Sequence, residues 1–179
     1  MLNDDLFLYC PKCGAKEFAP AGEKHFQCGA CGFTYYFNPC GAAVGIVKDG
    51  EGRILLTRRA RDPAAGTWDL PGGFIDFGET AEEALARELF EELHLRIRSM
   101  TYFCSMPNLY RYAEVLYHTI DFFFVCETAN LGELEARDEI AGFEFRAVEA
   151  IDLEEIGFDS IRRGLSKLKE AIASGRFRL

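Results

Sequence analysis

The stretch GGFIDFGETAEEALARELFEELHL, residues 72–95, decides how this chain is read. Its second half, TAEEALARELFEEL (80–93), predicts a helix. Thr80 and Glu83 form a capping box, and Ala, Leu and Glu are strong helix formers. At about 100° per residue, Glu88, Glu91 and Glu92 share one face, because positions i, i+3 and i+4 are neighbours. Leu85, Leu89 and Leu93 fall on the adjoining face and can meet a core. Three carboxylates on one face repel one another by roughly a few tenths of a kcal/mol per pair on an exposed helix. A hard divalent cation removes that repulsion, and oxygen-only ligands favour Mg²⁺ or Mn²⁺ over zinc. Taken alone, the same face is also what an ordinary solvated acidic helix presents. The upstream context adds weight: Leu70-Pro71-Gly72-Gly73-Phe74 is a loop whose glycines permit close backbone approach to a ligand or metal.

Working outward, GAAVGIVK (41–48) and RILLTRRA (53–60) read as strands, joined by a hairpin signal at Lys48–Gly52. Residues 61–78, rich in Gly, Pro and Asp, read as loop. LRIRSMTYFCS (95–105), LYHTIDFFFVCE (116–127) and GFEFRAV (142–148) read as further strands. Asp159 to about Ser174 reads as an amphipathic closing helix with Ile161, Leu165, Leu168 and Ile172 on one face.

The first 37 residues form a separate pattern. Cys10-Pro-Lys-Cys13-Gly14 and Cys28-Gly-Ala-Cys31-Gly32 are two knuckles separated by fourteen residues, each spaced so that both thiolates reach one ion. So short a segment cannot bury a sizeable core and needs a staple. Four thiolates make a closed, structural Zn²⁺ site. The expected organisation is a zinc ribbon over 1–37 and a second domain over 38–179. Cys40, Cys104 and Cys126 lie among apolar neighbours and read as small core residues.

The bulk composition is that of a globular chain, with 49% hydrophobic residues and no apolar run near the ~20 residues a membrane span needs. The start lacks the basic-then-apolar pattern of a secretory signal, so a reducing, cytoplasmic setting is expected. A net charge of −9 argues against general binding of nucleic acid. It leaves anionic small molecules open, since a bound cation reverses the local field.

Gly73, five residues, Glu79, seven residues, Arg87-Glu88-Leu89-Phe90-Glu91-Glu92, then Leu95 resembles the Nudix box. One position departs from it: His94 stands where the family has Gly, at a helix C-cap that takes a left-handed conformation. His is among the residues that tolerate that conformation. The resemblance spans roughly 38–160 and implies an α+β fold, an α/β/α sandwich around a mixed sheet. Together with the ribbon, the chain resembles the NADH pyrophosphatase branch of the family.

The resemblance implies an enzyme that hydrolyses the pyrophosphate of a nucleoside diphosphate linked to another group, such as NADH or ADP-ribose. On this chain, Glu88, Glu91, Glu92 and the carbonyl of Gly73 would hold Mg²⁺. Arg87 would brace the cluster through a glutamate such as Glu79. Glu91, or a carboxylate of the later loop 135–139, would serve as base, and there Glu139 is the choice over Glu135 and Asp138. For the substrate, Arg59 is a candidate phosphate contact and Tyr110 a candidate purine stack. The branch's array after its box is only partly present in Ser105-Met106-Pro107-Asn108-Leu109-Tyr110, so NADH selectivity is not implied. Two further functions compete: a nucleotide-sensing Nudix protein without turnover, and an RNA-directed, cap-removing hydrolase. Ribbon-bearing relatives suggest a homodimer.

Overall fold

The computed structural model describes residues 7–179. The chain divides into two compact units: one takes the segment up to Pro39 with Leu109–His118, the other Cys40–Asn108 with Thr119–Leu179.

The first unit is built on β1 (Phe18–Pro20), β2 (His25–Cys28) and β3 (Thr34–Tyr36), an antiparallel sheet in that order. The two knuckles fold alike. Gly14 and Gly32 sit at φ 75° and 71°, and each donates its N–H to the carbonyl of the cysteine four residues before, at 2.9 Å in both cases. Phe18 and Phe26 are buried with Cys10 and Cys28, and Phe7, Phe33 and Phe37 pack around them. Four buried side chains make a small core, as the length of the segment requires.

The second unit contains β4 (Cys40–Val47), β5 (Ile54–Arg59), β6 (Trp68–Asp69), β7 (Gly72–Phe74), α1 (Ala81–Leu93), β8 (Ile97–Tyr112), β9 (Val115–Thr128), β10 (Ile140–Arg146) and α2 (Asp159–Ala173), the distal ends of β8 and β9 belonging to the first unit. One sheet runs β7-β4-β9-β8 and is mixed, β4 being parallel to β9 and antiparallel to β7. The other, β10-β5-β6, is antiparallel. The alternation of β4 explains the layers. Ala43 and Val47 pack with Leu85, Leu89 and Leu93 of α1, whereas Val44 and Ile46 pack with Ile161, Leu165 and Leu168 of α2. The result is an α+β sandwich with a helix on each side of a mixed sheet. Among the described residues no helix is long and apolar enough to cross a membrane.

Three local expectations are corrected. Lys48–Gly52 does turn the chain, but β4 and β5 share only the bridge Lys48–Ile54 and then enter different sheets. Both strands are apolar on both faces, so each is drawn into its own buried layer instead of a two-stranded ribbon. Residues 61–78 are not all loop, because β6 and β7 lie within them. The strand expected to stop at Ser105 continues to Tyr112, which puts Ser105–Tyr110 in a strand.

Candidate active site

Helix α1 begins as its sequence dictates. Thr80 Oγ1 accepts from Glu83 N at 3.2 Å and Glu83 Oε2 accepts from Thr80 N at 2.9 Å. It ends at His94, which takes the left-handed conformation at φ 55°. Between these caps, Arg87 organises the acidic face. Its Nε and Nη2 fork onto Glu79 at 2.8 and 3.0 Å, and Nη2 also donates to the Phe74 carbonyl at 3.1 Å. Its remaining arm, Nη1, donates to Glu88 at 2.8 Å and to Glu91 at 3.2 Å. This pairing holds Glu79 below the usual carboxylate range.

Strand β7 supplies the opposite wall, and its glycines are required for different reasons. A Cβ on Gly72, at φ 141°, would stand 2.1 Å from the Ala43 carbonyl oxygen. A Cβ on Gly73 would stand 2.4 Å from Glu88 Oε1. Gly72→Ala therefore collides with backbone and is expected to destabilise the fold by on the order of 3 kcal/mol. Gly73→Ala collides only with a side-chain carboxylate. It should leave the melting temperature nearly unchanged while displacing Glu88 and lowering turnover about tenfold or more. Thermal unfolding and rate measurements on both variants check this contrast; equal effects on stability would contradict it.

Glu92 is the most enclosed of the α1 glutamates Glu88, Glu91 and Glu92. Gly72 N–H points at its Oε2 at 3.4 Å, long for a hydrogen bond. Burial, and then the charges of Glu88, Asp69 and Glu139, push its carboxyl up to about 8. Burial also raises Glu88, against the pull of Arg87. Asp69 was not singled out from sequence. It sits in the two-residue strand β6, too short for alternation to say which way it faces, and burial moves it up to about 6. The loop that carries Glu139 is docked on the end of α1, and the Glu139 charge acts on Glu92. Arg137 N donates to the Glu92 carbonyl at 2.8 Å and Glu135 N to the Leu93 carbonyl at 3.2 Å. Asp138, at φ 48°, turns the chain toward β10.

These shifts fix a sign. Glu92 binds a proton more tightly when folded (about 8) than in its reference state (4.5), so between those values the folded chain holds a proton that the unfolded chain has lost. Stability must then fall as pH rises through that window, and Asp69 acts in the same direction. In chelator, the melting temperature is expected to drop between about pH 5 and pH 8, and Mg²⁺ to restore more of it at the upper pH. A flat profile in chelator would remove the electrostatic stress inferred for this cluster.

The other candidate residues are placed as follows. Arg59 donates Nε to the Pro63 carbonyl at 2.8 Å and Nη1 to Asp69 at 3.3 Å, with its side chain 16% exposed, so it would have to leave both to reach a phosphate. Tyr110 is half-buried in the distal part of β8 and belongs to the first unit, whereas the glutamates belong to the second. Among the described residues, Cys10, Cys13, Cys28 and Cys31 are the one group of three or more ligand side chains whose donor atoms all lie within 4.8 Å. Their Sγ atoms approach to 3.8 Å (Cys10–Cys31) and 3.7 Å (Cys13–Cys28). A tetrahedral ion with Zn–S bonds of about 2.3 Å has sulfur–sulfur edges of about 3.8 Å, so the cage fits zinc. The glutamates are spread more widely, with Arg87 Nη1 between two of them. Their all-oxygen donor set, in which burial raises the carboxyls of Glu88 and Glu92, fits a hard divalent cation.

Residues 39–168 match the NUDIX domain family. The chain belongs to the Nudix hydrolase family. It is 37% identical over 101 residues to the NAD-capped RNA hydrolase NudC of Haemophilus influenzae (strain PittGG), covering 55% of this chain and 38% of that protein. It is 35% identical over 115 residues to the ADP-ribose pyrophosphatase of Methanocaldococcus jannaschii, covering 63% of this chain and 64% of that one. The chain thus spans less than two thirds of the length of either relative. The crystal structure of a NUDIX hydrolase from Nitrosomonas europaea is similar over 93% of both chains, with a TM-score of 0.68 and 25% identity.

Proposed function

We propose that the chain hydrolyses the pyrophosphate linkage of a nucleoside diphosphate joined to another group, of the ADP-ribose or NADH type, with Mg²⁺ or Mn²⁺ at α1. The observation that carries this is the acidic face of α1 beside Gly72 and Gly73: Arg87 clamps Glu79, Glu88 and Glu91, and the charges of Glu88, Asp69 and Glu139 act on Glu92. The names of the two relatives support the substrate class, since NAD and ADP-ribose share an ADP-ribosyl diphosphate.

In this reading Glu88, Glu91, Glu92 and the Gly73 carbonyl hold the metal. When bound, such ions neutralise a diphosphate and make water a better nucleophile. Arg87 keeps two arms on Glu79 and has one arm, Nη1, to yield from Glu88 and Glu91. Glu91 or Glu139 takes the proton of the attacking water. The first unit carries one structural zinc on Cys10, Cys13, Cys28 and Cys31, and residues 1–37 act as a ribbon preceding the hydrolase domain. The protein works in a reducing, cytoplasmic setting.

The test is a panel with Mg²⁺: ADP-ribose, NADH, NAD⁺, diadenosine polyphosphates, nucleotide sugars, nucleoside triphosphates and an NAD-capped RNA. Metal-dependent release of a nucleoside monophosphate from ADP-ribose or NADH is expected, and Glu91→Gln should abolish it. A wild type as inert as that variant on every compound would leave a sensor of nucleotides. A clear preference for the capped RNA would support the RNA-directed alternative.

A further inference from the structure

Beyond the metal, the substrate phosphates are best met by a side-chain cation that is not already held by protein. Most nearby arginines fail that requirement. Arg87 is bound to Glu79, Glu88, Glu91 and the Phe74 carbonyl. Arg59 is held by Asp69 and Pro63, Arg58 by the Gly66 carbonyl at 3.0 Å and the Trp68 ring, and Arg137 by Glu135.

Arg61 differs. Its ion-pair partner is Glu139, at 3.6 Å, with side chains 69% and 51% exposed. That distance is too long for a hydrogen bond, and an exposed pair of this kind contributes little. Its backbone, by contrast, is fixed. The β5–β10 ladder ends at Arg59–Ile140, and Ala60 N donates to the Glu139 carbonyl at 2.8 Å. The loop that follows is tied down by Gly66 N to the Arg59 carbonyl at 2.9 Å, and by the guanidinium groups of Arg58 and Arg59. An exposed, loosely paired guanidinium, flanked by hydrogen-bonded backbone, thus stands beside Glu139, whose charge acts on Glu92.

We propose that Arg61 is a phosphate-binding residue of this site: it rests on Glu139 in the free chain and transfers to a substrate phosphate, leaving Glu139 free to face the attacking water. The inference builds on the hydrolase reading and adds a residue outside the Nudix box. A phosphate offers a guanidinium two parallel hydrogen bonds where Glu139 offers one loose contact, so the exchange favours the substrate.

Kinetics and equilibrium binding test it together. Arg61→Ala should raise KM for ADP-ribose about tenfold, with the loss falling on KM rather than kcat, and Arg61→Lys should recover part of it. AMP should bind Arg61→Ala about tenfold more weakly than wild type, while adenosine, which has no phosphate, binds both alike. Glu139→Gln should bind AMP more tightly than wild type, because Arg61 no longer has a competing partner, and the Arg61→Ala/Glu139→Gln double variant should lose that gain. An active wild type whose KM and AMP affinity survive Arg61→Ala would overturn the inference and leave the hydrolase reading intact. A wild type inert on every anhydride would instead sink the hydrolase reading, and AMP binding would still report whether Arg61 meets phosphate.

Discussion

Glu92→Gln is expected to raise the stability of the metal-free protein and to lower hydrolysis by about 10³-fold. The two effects have one cause. Burial, and then the charges of Glu88, Asp69 and Glu139, push the Glu92 carboxyl up to about 8. Glutamine keeps the shape and an acceptor for Gly72 N–H and carries no charge, so the cost of burying a charge and the repulsion both disappear. In chelator at about pH 8, where wild-type Glu92 is half ionised, the melting temperature should rise by about 3 °C for each kcal/mol relieved. Losing a metal-ligating carboxylate removes several kcal/mol of transition-state charge stabilisation, and each 1.4 kcal/mol is about tenfold in rate. Paired melting and turnover measurements decide the point. If the melting temperature fell together with activity, Glu92 would be a structural support rather than a ligand kept under electrostatic stress.

Cys28→Ser is expected to unfold the cysteine-bearing unit and release its metal. The buried side chains of that core are Cys10, Phe18, Phe26 and Cys28. Each contributes at most about 1.5–3 kcal/mol of burial, against ordering costs of about 1–2 kcal/mol for every residue fixed. Zinc in modules of this size supplies about 10–16 kcal/mol, so the ion rather than the core decides whether the unit folds. Wild type should hold about one zinc per chain by elemental analysis and resist proteolysis across residues 7–39. Cys28→Ser should lose the zinc and be cut there. A serine variant that keeps full resistance would show that the aromatic packing suffices without metal.

How far the sequence could be read depended on whether a signal was local. The capping box, the leucine face of α1 and the twin cysteine knuckles are each complete within a few residues, and all three are present in the structure. Turns were less reliable. Gly50 and Gly52 marked a hairpin, but whether two strands pair beyond their turn depends on sheet partners far away in sequence, and β4 takes β9 and β7 instead of β5. The opposite error hid the real hairpin. β8 and β9 turn at Ala113 and Glu114, both left-handed at φ 46° and 70°. Neither is the Gly or Asn that normally marks such a turn, so the strand seemed to end early. The acids behaved in the same way. Glu88, Glu91 and Glu92 are visible by helical spacing. Asp69 lies twenty-three residues before Glu92, and only the packing of β6 against the rest of the site makes it a neighbour.

If the glutamates of α1 share a divalent cation with a diphosphate, that ion must be visible on them. Crystals of the whole chain soaked with Mn²⁺ and AMP, measured for anomalous scattering, test it most directly. A Mn²⁺ peak is expected between Glu88, Glu91, Glu92 and the Gly73 carbonyl, with Arg87 Nη1 withdrawn from Glu88 and Glu91 and a phosphate oxygen on the metal. Manganese found only at other sites, with Arg87 still clamped on both glutamates, would contradict it.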